Sequence, residues 1–118
     1  MGNTIIFYRT ANGKCPVQEF LDSLSGKVAQ KVAWVLGLVE DLEVVPSTYF
    51  KKLVSTDEIW ECRIQLGSNA YRIFCFFDDN SVVVLTNGLI KKTQKTPQLE
   101  IERTEAYRRD YRQRRTKR

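Results

Sequence analysis

The chain has 118 residues, 42% of them hydrophobic and 28% charged, with a net charge of +5. That length supports a single domain, 1–118, with its own hydrophobic core and no need of disulfide or metal staples. With no histidine in the chain, a histidine acid/base and a histidine-ligated zinc are excluded. No apolar run approaches the roughly 18 residues of a membrane span and no basic-then-apolar leader opens the chain, so a cytoplasmic protein without membrane contact is expected.

Ile5, Ile6, Phe7 and Tyr8 form a β-prone run and predict a first strand. Asn12-Gly13 signals a turn, and Pro16 suits the first position of a helix in which Val17, Phe20, Leu21 and Leu24 share a face. Ser25-Gly26 breaks that helix. Val28, Val32, Val35, Leu36, Val39 and Leu42 then recur on a helical period until Pro46, which predicts a helical hairpin packed on something flat. Trp34 falls beside this stripe and is expected in the core.

From Tyr49 the period changes to two. Trp60, Cys62, Ile64 and Leu66 alternate with Glu61, Arg63 and Gln65; after Gly67-Ser68-Asn69, Tyr71, Ile73, Cys75 and Phe77 alternate with Arg72, Phe74 and Phe76; a further turn leads to residues 82–85. The expected product is an antiparallel meander of at least three strands. If the Trp60/Ile64 side packs on the helical hairpin, then Glu61, Arg63, Arg72, Phe74 and Phe76 share the opposite face, and the helix opening at Pro97 must cover the two aromatics with Leu99, Tyr107 and Tyr111. Cys62 and Cys75 read as small core residues; the three cysteines show no ligand spacing.

Charge is unevenly placed. From Lys91 onward there are eleven Lys and Arg against four Asp and Glu, whereas residues 1–90 carry eight against ten. Such asymmetry points to a polyanionic partner, and the scarcity of large apolar anchors in the basic tail, 108–118, favours nucleic acid over membrane. A tail so polar is also compatible with ordering only on a partner. By itself the lysine segment before it, NGLIKKTQKTP at 87–97, reads as a solvated loop.

Taken together, Ile59-Trp60-Glu61-Cys62-Arg63, Tyr71-Arg72-Ile73-Phe74, the strand through residues 83–85, Asn87-Gly88, Lys91-Lys92-Thr93-Gln94-Lys95-Thr96-Pro97 and Glu100-Ile101-Glu102 resemble the HigB-like, phage-derived branch of the RelE/ParE toxin superfamily. The likeness covers Trp60 to Arg103. It implies a RelE-like α+β fold: an N-terminal strand and two-helix hairpin on one face of a twisted antiparallel sheet, with a C-terminal basic helix. It also implies a type II toxin that cleaves messenger RNA on the ribosome without metal or organic cofactor. The implied partner is a HigA-like helix-turn-helix antitoxin, through which alone operator DNA would be met. Two departures stand out: Asn87 occupies a position where the family often has histidine, and Leu89 one where an aromatic is common.

Metal-free RNA cleavage requires deprotonation of a 2′-hydroxyl, stabilisation of charge on the phosphorane and protonation of the leaving 5′-oxygen. Arginine is too basic for proton transfer, so Arg63 and Arg72 are assigned to the phosphate. Lys91 or Lys92 is the acid/base candidate, because clustered cations lower a lysine's pKa. Glu61 is either a general base or an ion-pair partner that orients Arg63. Lys51, Lys52, Asn87, Lys95, Arg108, Arg109 and Arg112 are assigned to RNA binding, and Tyr71, Tyr107 and Tyr111 either stack on a base or pack the last helix. Two other readings stay open: a ParE-like gyrase inhibitor, and a catalytically silent nucleic-acid-binding prophage protein.

Overall fold

The computed structural model describes residues 2–92 and 95–116; Thr93 and Gln94 of the lysine segment and the last two residues of the basic tail lie outside the described residues. The elements run β1 (Thr4–Phe7), α1 (Pro16–Asp22), α2 (Gly26–Asp41), β2 (Phe50–Lys52), β3 (Trp60–Leu66), β4 (Asn69–Asp78), β5 (Val82–Lys91) and α3 (Gln98–Thr116). The fold is α+β. Its five-stranded sheet has the order β1-β5-β4-β3-β2, and β2 to β5 form the expected antiparallel meander. β1 instead joins β5 in parallel, which makes the sheet mixed: the α1–α2 excursion carries the chain from β1 at one edge to β2 at the other.

Period-two alternation separates two cores. Cys62, Ile64, Tyr71, Ile73, Cys75, Val83 and Leu85 point to one side and are buried by Val17 of α1 and by Val28, Val32, Val35 and Val39 of α2. Ser25 caps α2, its side chain accepting from the Val28 amide at 3.4 Å. α1 lies so close to β5 that a Cβ on Gly88 would fall 2.4 Å from the Phe20 ring, so only glycine fits there. Trp34 is not in this core. It sits on the flank of α2, 49% exposed, with its ring edge-on to Tyr49 at 5.2 Å; at about 100° per residue it has rotated away from the valine stripe.

α3 covers the other face. Phe74 and Phe76 are fully buried, Tyr107 lies against Tyr8 at 4.8 Å, and Tyr111 meets Phe76 at 5.6 Å and donates to Asp78 at 2.7 Å. The inward stripe differs from expectation in one place: Leu99 is 61% exposed, and Thr104 and Arg108 occupy buried positions. α3 runs on through the basic tail as far as Thr116.

One irregularity positions the end of β5. Ile73 pairs with Gly88 but Cys75 pairs with Leu85, so Thr86 and Asn87 together oppose Phe74. This β-bulge turns both side chains toward α3. Thr86 donates to the Phe74 carbonyl at 3.1 Å and Thr104 donates to Asn87 Oδ1 at 2.8 Å.

Candidate active site

Three rows of side chains cross the α3 face of the sheet. Lys51, Glu61 and Phe74 form one; Arg63, Arg72 and Leu89 form the next; Ala70 and Lys91 belong to the third. Two arginines directly opposite each other on neighbouring strands repel. Glu61 offsets this, its Oε1 lying 3.6 Å from Arg63 Nε and 3.5 Å from Arg72 Nε. The Glu61 and Arg72 side chains are only 4% and 8% exposed, whereas Arg63 is 31% exposed. Backbone carbonyls hold the guanidinium groups from behind: Arg63 donates to Ser47 at 3.3 Å and Arg72 to Tyr71 at 3.0 Å. Glu61 Oε2 and Arg72 Nε are buried without a hydrogen-bond partner among the described residues. An ion triad this dry and this incompletely satisfied costs stability, which makes the place a candidate site.

In front of the triad opens a cleft of about 510 Å³. β3 and the end of β5 supply its floor, with Glu61, Arg63 and Lys91; β2 and the loop after it supply one wall, with Lys51, Lys52 and Ser55, and the segment leading into α3 with the helix's first turn supplies the other, with Lys95, Thr96 and Ile101. Burial holds the Lys91 ammonium below its ordinary pKa, against the opposing pull of Glu61, and Arg72, Arg63 and Lys51 add to the lowering. Burial also lowers Arg72 while Glu61 opposes, but a guanidinium starts so high that it stays a cation. Arg63 is shared with a second depression of about 300 Å³ that also touches Thr48, Gln65 and Arg72. The cleft therefore combines fixed cations, a shielded carboxylate and a lysine closer to neutrality than usual, which is suited to holding a phosphodiester and moving a proton beside it.

The structure brings Glu61, Arg63, Arg72, Lys91, Lys51, Lys52 and Lys95 to this place, with Lys52 also paired to Glu58 at 3.0 Å. Lys92 lies in an adjoining groove beside Leu89, Pro97 and Glu100. Asn87 is buried under α3: its Nδ2 donates to Glu100 Oε1 at 2.9 Å and its Oδ1 accepts from Thr104 at 2.8 Å. Arg108 is buried too, donating to the Asp57 carbonyl and pairing with that carboxylate at 3.5 Å, which ties α3 to the 53–59 loop. Arg109 and Arg112 are exposed on α3, with the Arg112 guanidinium 5.6 Å from the Phe76 ring. The three tyrosines are used in packing: Tyr71 in the helical-hairpin core, Tyr107 and Tyr111 under α3. Burial, together with Cys62 and Glu61, pushes the Cys75 thiol well above its ordinary value, so it is no nucleophile. No group of metal-ligating side chains converges among the described residues, and no helix among them is long and apolar enough to cross a membrane.

Sequence reasoning missed two contributors. The 53–59 loop forms a cleft wall, with Ser55 and Glu58 at positive φ of 61° and 60°, and no glycine announced such a turn. Thr86, Glu100 and Thr104 lock the start of α3 to β5; one extra residue in a strand carries no period of its own, so this network had no signal.

An α+β fold with a helical hairpin on one sheet face and a basic helix beside a cationic cleft on the other is consistent with the RelE-like toxins. A family model described as phage derived protein Gp49-like (DUF891) matches residues 19–109, a span that holds every residue of the triad and the cleft. The chain belongs to that family, a RelE/HigB-like toxin family. No curated protein matches it.

Proposed function

We propose that the protein is the toxin of a type II toxin–antitoxin pair, of the HigB branch, and that it cleaves messenger RNA on the ribosome. The observation that carries this reading is the Glu61-centred arginine pair beside Lys91, whose pKa is lowered, in an open cationic cleft. In this mechanism Arg63, the more exposed guanidinium, binds the scissile phosphate with Arg72 behind it. Lys91 exchanges protons, first with the attacking 2′-hydroxyl. The 2′-oxygen bonds to phosphorus as the bond to the 5′-oxygen breaks, leaving a 2′,3′-cyclic phosphate and, once that oxygen is protonated, a 5′-hydroxyl. Glu61 holds both arginines in register. Lys51, Lys52 and Lys95 meet flanking phosphates at the cleft, and Arg109 and Arg112 extend the cationic surface along α3.

The partners of this reading are messenger RNA, the ribosome that presents it in the cytoplasm and a HigA-like helix-turn-helix antitoxin. Induction of the protein alone, with messenger 5′ ends mapped on translating ribosomes and gyrase supercoiling assayed in parallel, tests it. Cuts within codons that disappear in Arg63→Ala and Lys91→Ala are expected. Relaxed DNA without cuts would assign the cleft to a gyrase inhibitor, and neither effect would leave a silent binding protein.

A further inference from the structure

α2 has a buried side and an exposed one that carries a tryptophan. Its valine stripe is buried against the sheet, while Lys27, Gln30, Trp34, Gly37, Leu38 and Asp41, each three or four residues from another of the set, share the outward flank. On that flank Trp34 is half exposed, and Leu42 and Val44 continue the exposed apolar surface just beyond the helix. A half-exposed tryptophan continuous with two more exposed apolar side chains is a surface that a partner can cover.

Two further observations say what the cover is. Gly37 lies in the helix interior, where glycine costs about 1 kcal/mol relative to alanine. A Cβ placed there would meet nothing in the chain, so internal packing supplies no reason for the glycine. A notch beside a protruding tryptophan is what a second helix needs to approach closely. The charges then select the helix. Lys27 and Asp41 stand equally far before and after Trp34; both are exposed, and neither forms an ion pair among the described residues.

We propose that this flank of α2 is the interface of a symmetric dimer of the chain, two α2 helices packing antiparallel about a two-fold axis at Trp34. Residues equally distant from the axis meet, so each Lys27 faces Asp41 of the other copy, the two Trp34 rings meet at the axis, and each Gly37 notch gives room to the other copy's Lys31, whose ammonium lies 4.7 Å from the Trp34 ring of its own copy. The arrangement is self-complementary, as a two-fold interface must be. It uses the helical layer of the fold and leaves the cleft, on the α3 face, open.

Sedimentation equilibrium of the full chain over micromolar to submillimolar concentrations tests this. A monomer–dimer equilibrium is expected. Lys27→Glu and Asp41→Lys should each weaken it by about tenfold or more, since the axis makes every pair occur twice, and the two combined should recover it to within about threefold. Gly37→Leu should abolish the dimer while the circular dichroism spectrum and thermal midpoint hold. A monomer at every concentration, or a dimer indifferent to the charge reversals and to Gly37→Leu, overturns the proposal; a mixed complex formed through this face by another protein in place of the homodimer does so equally. RNA cleavage plays no part in the readout, so the outcome is independent of the proposed activity.

Discussion

Arg63 and Arg72 face each other across β3 and β4, and a single carboxylate oxygen, Oε1 of Glu61, lies 3.6 Å from the Nε of the first and 3.5 Å from the Nε of the second. Without that oxygen two cations would be left side by side, one of them almost wholly buried. Glu61→Gln is therefore expected to cost about 3 kcal/mol, since breaking a buried ionic group strands its partner, and the loss should appear in urea unfolding. Glu61→Leu combined with Arg72→Met should recover most of it, because the apolar pair removes both charges. An unchanged urea midpoint in Glu61→Gln would show that Glu61 does not hold the pair.

Lys91 gives a prediction of opposite sign. Burial holds its ammonium below the ordinary value, so the unfolded chain binds that proton more tightly than the folded one. Folding stability then rises with pH from the folded pKa toward about 10.4, and at neutral pH the charged lysine is a net cost. Lys91→Met is expected to leave the protein as stable as before or slightly more so at pH 7, by under about 1 kcal/mol given its partial exposure. The alkaline rise should flatten and RNA cleavage should be lost. Equal loss of stability and activity would place Lys91 in the scaffold.

Asn87 should behave in the reverse way. Its amide bridges the β5 bulge to Glu100 and Thr104, so Asn87→Ala should cost about 2 kcal/mol through partners left unsatisfied. Amide hydrogen exchange in the first turns of α3 should accelerate, with β3 and β4 unaffected. If exchange in α3 did not change, the network would not be what docks the helix.

Tyr8 anchors the other half of α3 through its 2.5 Å hydrogen bond to Asp110. Burial first, and then that carboxylate, push the phenol up to about 12. The unfolded phenol titrates near 10, so its contribution is complete below about pH 10 and lost as pH climbs toward the folded value. Tyr8→Phe is expected to lower stability by about 1 kcal/mol at pH 8, with the gap to the parent closing between pH 10 and 12. A gap that stayed constant over that range would mean that the proton is not held by the fold.

Much of this was legible in the chain because burial has a period. Alternation placed Glu61, Arg63, Arg72, Phe74 and Phe76 on one face and required the last helix to cover it. What escaped was decided by single contacts. Arg108 has the sequence character of a solvent-facing cation but is used to hold the Asp57 carbonyl, since a long guanidinium can satisfy a carbonyl that a short side chain cannot reach. Trp34 borders the valine stripe on a helical wheel, and only the position of Tyr49 reveals that it stays outside. The parallel pairing of β1 with β5 likewise joins segments far apart in the chain, which no local pattern encodes.

The bulge at Thr86 and Asn87 has one more consequence. Alternation counted from Val84 without it would assign Ile90 and Lys92 to the arginine face; with one residue of β5 left over, Leu89 and Lys91 face Arg72 and Ala70. Distance along the chain from the bulge thus acts as a selector between two neighbouring ammonium groups. A codon lost between Asn87 and the lysines would bring Lys92 opposite Ala70 with almost no change in composition, and one gained would bring Ile90 there, so in a variant that differs there in length the lysine on the arginine face is found by counting from the bulge, not by aligning the KK pair.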